Sequence, residues 1–288
     1  MINFDTIRMG DDMELFVYAI LYAFVGWIIE VTYYIYKTKS FVNRGFLNGP
    51  FVPIYGLSLV SLHMVISWLF DISQTINLAI VISVFVLIIV IGTLLELIGG
   101  IILFNLFETR WWDYSDQPLN YKGYICLPFS LIWGFLGTGG YFFIHVPFIM
   151  PFVNSLNATT LRYFTYGMSL ILLIDLIFTV YSLWNFKLLI DEFSQVTGKL
   201  YSSTQKMRDK LPKPLTQSLD MIKRNERLKN IYSRFNRAKD TVSDLKDKVL
   251  FNHYTRLEKL LTTIQNNRLY KAFPDLKIFK RKKEDSNE

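Results

Sequence analysis

LAIVISVFVLIIVIGTLLELIGGIILFNLF, residues Leu78–Phe107, runs for thirty residues with one charged side chain, Glu96. A helix needs roughly 20 mostly apolar residues to cross about 30 Å of hydrocarbon, and this stretch exceeds that. Working outward, four more segments meet the same requirement: Leu15–Tyr36, Phe51–Phe70, Tyr124–Phe148 and Tyr163–Ile190. One such segment would suit a buried core helix of a soluble protein. Five in succession, in a chain that is 51% hydrophobic, do not. The reading is an all-α polytopic membrane protein with five transmembrane helices and a helical tail.

The first span follows an acidic leader (Asp5, Asp11, Asp12, Glu14) and lacks a small-residue cleavage site, so it reads as a retained helix and not a signal peptide. The single cysteine, Cys126, excludes an internal disulfide and reads as a small packing residue. Charge divides the chain. Residues 1–190 carry 8 Lys/Arg against 11 Asp/Glu, whereas residues 191–288 carry 23 against 13. Short loops rich in Lys and Arg stay in the cytoplasm. With five spans, the loop of Lys37, Lys39 and Arg44, the loop of Arg110 and Lys122, and the tail all share the cytoplasmic side. The expected organisation is an extracytoplasmic N-terminus (1–14), a four-helix membrane core (15–148), an outer loop with the fifth span (149–190) and a basic cytoplasmic tail (191–288).

The core repeats itself. RGFLNGPFVPIYG (Arg44 to Gly56) returns as KGYICLPFSLIWG (Lys122 to Gly134), with five of thirteen positions identical and four more conservatively replaced. Upstream, GWIIE (Gly26 to Glu30) returns as GTLLE (Gly92 to Glu96). Four residues make about one helical turn, so each glycine shares a face with its glutamate. The glycine lets a neighbouring helix approach. The two copies, 15–70 and 78–148, start an even number of spans apart and therefore run in the same direction. This predicts a pseudo-twofold axis along the membrane normal and a cavity between the copies.

Glu30 and Glu96 are the leading site candidates. A charged side chain at the helix centre costs roughly 2.5–3.5 kcal/mol on insertion scales, so two at matching positions imply a partner, a proton or a water-filled cavity. Their bland alternative is a structural hydrogen bond between helices. Arg44 and Lys122 open the matched segments and could hold an anionic group or serve as topology anchors. Asn48, with Gly49, Pro50 and Pro53, gives the second span an irregular start whose freed backbone groups must face protein or water. Pro128 does the same for the fourth. Asp113 and Asn120 belong to WWDYSDQPLN in the second loop, which is twelve residues longer than the first. Trp111 and Trp112 suit a headgroup belt. Asp175, in LLIDLIF, is a third intramembrane acid. His63 and His145 read as packing residues.

There is no Walker A loop, no His-Glu-x-x-His helix and no cysteine pair for zinc, so no catalytic set, metal site or cofactor is indicated. ATP coupling would require a separate ATPase subunit. In the tail, Leu228, Ile231, Phe235, Ala238, Val242, Leu245 and Val249 recur at spacings of three and four, and Tyr254, Leu257, Leu261 and Ile264 resume the pattern. This predicts a coiled coil that packs on itself or on a partner helix. The basic end, KIFKRKKEDSNE, suits anionic lipid better than nucleic acid.

GWIIE, NRGFLNGPFVPIYG, LLELIGG and WWDYSDQPLNYKGYICLPFSLIWG together resemble the bacterial ABC-transporter type IV permeases, the CmpB-like family. The resemblance spans roughly Leu15 to Ile190. It implies a multi-pass inner-membrane protein and brings no catalytic residues with it. The expected function is a permease component moving a small molecule or ion through a cavity lined by the paired acids. The alternative is an intramembrane enzyme acting on a lipid or isoprenoid at the cytoplasmic face, with Glu30, Glu96 and Asp113 as acid/base groups or metal ligands and Arg44 holding a phosphate.

Overall fold

The computed structural model describes residues 12–69, 77–107, 109–205, 248–268, 270, 277 and 278. The chain divides into two compact units, one of residues 1–106 and 110–179, the other of 107–109 and 180–288. Nearly all regular structure is helical, as the apolar segments require.

In the first unit, α1 is Asp12–Thr38, α2 is Pro53–Leu69 and α3 is Leu78–Phe107. A loop then forms a small antiparallel hairpin in which Asn120–Tyr121 pairs with Ile125–Cys126, Asn120 opposite Cys126. Helix α4, Leu127–Gly140, continues without a break through a π-helical segment, Tyr141–Ile149, into α5, Met150–Asn154. Pro147 and Pro151 each lack an N–H, so two α-type hydrogen bonds are missing in this stretch. The Met150 N–H reaches back five residues to the His145 carbonyl. Helix α6, Ala158–Gln205, starts at Asn157, whose side chain caps the Thr160 N–H at 2.8 Å.

Among the described residues four stretches are long and apolar enough to cross a membrane: Asp12–Thr38, Leu78–Phe107, Leu127–Asn154 and Ala158–Thr197. The expected count of five is therefore not reached on length. Helix α2 is apolar but has 17 residues, because Phe51 and Val52 lie outside it and the helix starts at Pro53. Proline suits a first helical position, where its missing N–H would have no helical partner. On α3, Ile82, Val86, Val90, Leu94, Ile98 and Ile102 recur every fourth residue, all between 46% and 53% exposed. Such a stripe, unbroken by any charge, is what lipid accepts and water does not.

The interior of this unit gathers Tyr18, Leu59, Leu62, Ile66, Val84, Met150 and Val153 from α1, α2, α3 and α5. Close approach of α1 and α2 depends on Gly56, whose missing side chain is replaced by the Ala19 carbonyl. The Val52 N–H donates to the Ala23 carbonyl at 2.9 Å and ties the start of α2 to α1.

In the second unit, helix α7, Lys248–Asn266, buries Leu257, Leu260, Leu261 and Ile264. Arg256 donates through Nε to Glu192 at 3.0 Å, joining α7 to α6. The expected seam from Leu228 to Leu245 lies outside the described residues.

Candidate functional site

Gly26 and Glu30 stand one turn apart on α1. The Tyr55 ring of α2 occupies the space that a side chain at residue 26 would need, since a Cβ there would meet Tyr55 Cγ and Cδ2 at 2.4 Å. With its ring laid across the glycine, Tyr55 donates its hydroxyl to Glu30 Oε1 at 3.1 Å. Glu96 on α3 is held in the same chemical way by a different element. Tyr114, from the additional loop, donates to Glu96 Oε1 at 2.8 Å. The Tyr114 ring stacks on Phe129 of α4 at 5.1 Å, and its backbone N–H donates to the Gly123 carbonyl at 2.9 Å.

The two acids are neighbours electrostatically. The Glu30 charge reaches Glu96, and the charges of both reach Tyr55 and Tyr114. Trp133 of α4 meets the Tyr55 ring edge to face at 5.6 Å. Each of the two half-buried carboxylates is thus bonded by one tyrosine, and Phe129 and Trp133 of α4 pack on those tyrosines. Among the described residues neither acid has a cationic partner.

Burial first, and the Glu96 carboxylate second, push the Tyr114 phenol above its ordinary value of 10.0. A folded-state value raised in this way contributes stability that is complete below pH 10 and is lost as the pH rises beyond it. Thermal unfolding of the wild type should therefore steepen its pH dependence above pH 10 by at most about 1.4 kcal/mol per pH unit. Tyr114→Phe should remove that component. Equal slopes for the two proteins would contradict the assignment.

The remaining candidates sit in other clusters. Asp175 of α6 accepts the Asn48 and Gly49 backbone N–H groups at 2.9 and 2.8 Å, and Asn48 Nδ2 donates to Thr179 Oγ1 at 2.9 Å. These contacts satisfy the irregular start of α2, so Asp175 and Asn48 organise a loop. Asp113 pairs with Arg110 at 3.1 Å and accepts the Ser115 N–H at 3.1 Å. Asn120 accepts the Gly123 N–H at 3.0 Å and donates to the Gln117 carbonyl at 2.7 Å. The Arg44 guanidinium lies 5.0 Å over the Tyr34 ring, and the exposed Lys122 ammonium 5.5 Å over Tyr121. Trp112 lies along α3, near Gly99 and Gly100, and donates to the Tyr124 carbonyl at 2.8 Å.

Sequence reading named Glu30 and Glu96 and did not name the tyrosines that bond them. Tyr55 had a signal, since it lies inside the matched block opposite Trp133. Tyr114 had none, because its loop has no counterpart.

A family model described as "Putative ABC-transporter type IV" matches residues 17–180, which include Glu30, Glu96, Tyr114 and Asp175. No curated protein matches the chain, and no solved structure does. The matched region is more than half of the 288 residues and runs from within α1 through α5 to about the middle of α6. The multi-pass helices, the apolar lipid-facing stripe and this match agree: the chain belongs to the ABC-transporter type IV family of membrane proteins.

Proposed function

We propose that this chain is a membrane permease component whose transport site is the Glu30–Glu96 pair, and that the site takes a positively charged solute or ion. The carrying observation is the pair itself: two neighbouring carboxylates, each steadied by one tyrosine hydroxyl and without a cationic partner among the described residues. Tyrosine donors orient a carboxylate without neutralising it, so an arriving cation meets its charge.

The repeated sequence blocks support this reading. Tyr55 and Trp133 hold matching positions in the two stretches and touch each other, as residues near a twofold axis do. Gly56 packs on the Ala19 backbone, and its counterpart Gly134 packs on the side chains of Ile89 and of Phe85, the residue matching Ala19. Trp133 has no hydroxyl to offer Glu96, and Tyr114 of the added loop supplies one. In the proposed orientation the N-terminus is outside and the basic tail is cytoplasmic, which places the acid pair toward the cytoplasmic end of the spans. Energy would come from a separate ATPase subunit, since the chain has no Walker A loop.

A thermal-shift panel of organic and inorganic cations, neutral solutes and anions tests the reading on purified protein. Cations should stabilise the wild type selectively, and Glu30→Gln/Glu96→Gln should weaken their binding at least about 100-fold, consistent with about 3 kcal/mol for charged hydrogen-bonded pairs. Equal stabilisation of the wild type and the double variant would remove the site.

A further inference from the structure

At the other end of the α1–α2 pair lies a second polar group that the acid site does not use. His63 of α2 and His145 of the π-helical segment are 1% and 0% exposed. Their facing nitrogens, His145 Nε2 and His63 Nδ1, share a hydrogen bond of 3.4 Å. Tyr18, Tyr22 and Tyr141 surround His145, with ring centroids at 5.0, 5.7 and 5.2 Å. Three buried polar atoms here have no hydrogen-bond partner within the protein: His145 Nδ1, Tyr22 Oη and Tyr141 Oη. Buried polar groups that the protein leaves over are commonly satisfied by an internal water making about three hydrogen bonds. A phenol hydroxyl both donates and accepts, and an imidazole nitrogen does one or the other according to its tautomer. These three atoms therefore suit a small neutral molecule that donates and accepts equally well, which is water.

Helical placement gives this cluster neighbours along the span. Glu14, Tyr18, Tyr22, Gly26 and Glu30 recur every fourth residue and share one face of α1. Glu14 acts electrostatically on Tyr18, and Tyr18 and Tyr22 act on Tyr141. Tyr55, Leu59 and His63 share a face of α2 in the same way. Tyr55 lies across Gly26 and reaches Glu30, while the His63 ring stands 5.5 Å from that of Tyr18. From Glu14 to Glu30 the rise is about 24 Å, most of the roughly 30 Å of hydrocarbon. Neither α3 nor α5 adds a titratable group to the cluster, since Glu96 is the one on α3 and belongs to the acid pair, and Arg162 of α6 is exposed.

We propose that this chain also moves protons, along a route through a water-bridged His63–His145 pair that ends at Glu30 and Glu96. The water joins His145 Nδ1 to the Tyr22 and Tyr141 hydroxyls. Initially His145 Nε2–H donates to His63 Nδ1, and the His63 proton is on Nε2. The water then gives a proton to His145 Nδ1, the Nε2 proton passes to His63 Nδ1, and the His63 Nε2 proton departs. One proton enters, one leaves, and both rings end neutral with their tautomers exchanged. Half-turns of the rings reset the pair. Buried Leu59, between Tyr55 and His63, is the closed point, a gap of about 12 Å that water must bridge when the route conducts. Chains of acids and histidines within spans serve as such relays. The inference goes beyond the cation reading and does not need it, because the acids end the route whether or not they also take a solute.

Purified full-length protein would be reconstituted in liposomes holding a trapped pH dye, with a potassium gradient and valinomycin setting the membrane potential. Proton flux above that of protein-free liposomes is expected, with at least about a tenfold loss in His145→Gln. Leu59→Ala should raise the flux. Cation-induced thermal stabilisation should persist in His145→Gln, which shows that variant to be folded and separates the route from the acid site. Tyr22→Phe deletes one buried oxygen and should also lose flux, which keeps the test open should His145→Gln not fold. A density map of the wild type that resolves ordered water should place one within about 3.2 Å of at least two of the three atoms. No flux from either the wild type or Leu59→Ala, undiminished flux in folded His145→Gln or Tyr22→Phe, or no water at the three atoms would overturn the proposal. Flux that depends on His145 in a protein that binds no cation would overturn the cation reading alone.

Discussion

Gly56→Val is expected to prevent the α1–α2 pair from assembling, with a destabilisation of about 3 kcal/mol or more. A Cβ at residue 56 would stand 2.1 Å from the Ala19 carbonyl oxygen, 2.8 Å from its carbon and 3.0 Å from Ala19 Cα. All three are backbone atoms, so no rotamer change relieves the overlap and the helices must separate. Separation would uncover Leu59, Leu62 and Ile66, now between 1% and 7% exposed. It would also strain the Val52-to-Ala23 hydrogen bond and pull Tyr55 from Glu30. Gly167 on α6 is the control, because a Cβ there meets nothing within 4 Å. Gly167→Ala should be neutral or stabilising by up to about 1 kcal/mol, as alanine is the better helix former. The comparison is made on recovery of monodisperse protein and on its unfolding midpoint. A Gly56→Val protein that melts with the wild type would mean the helices do not pack this closely.

Asp175→Ala should cost about 2–4 kcal/mol and loosen the loop before α2. Its carboxylate receives two backbone N–H groups, and hydrogen bonds to charged acceptors contribute about 1.5–3 kcal/mol each before discounting for partial exposure. Thr179 Oγ1 also lies 3.2 Å from the Asn48 nitrogen and would recover part of the loss. Gly49 shows how closely the acid is seated, since a Cβ there would fall 2.9 Å from Asp175 Oδ2. Limited proteolysis within residues 44–52 should accelerate in Asp175→Ala, and Asp175→Asn should be intermediate because it keeps one acceptor oxygen. Unchanged proteolysis and an unchanged midpoint would show that the loop is held by other contacts.

These two expectations mark where sequence reading reached and where it stopped. The membrane class followed from run length and missing charge, since hydrocarbon admits few alternatives to a helix that satisfies its own backbone. The Gly-x-x-x-Glu pairs followed from helical periodicity. The length of α2 did not follow, because Phe51 and Val52 are apolar and only the backbone reveals that they precede the helix. Asp175 read only as a third intramembrane acid, because nothing in its own neighbourhood announces that it caps a loop 126 residues away.

By itself the sequence determined that this chain enters a membrane, that its helices run where the apolar stretches are, and that two acids are carried into them. These properties are local: each depends on residues within a few turns. Tertiary structure alone decided that a tyrosine from a matched segment and another from an unmatched loop hold the two acids, and that His63 meets His145 across 82 residues. Such contacts depend on how helices approach, which is set at Gly26 and Gly56 by the absence of a side chain, and a missing atom does not name its neighbour.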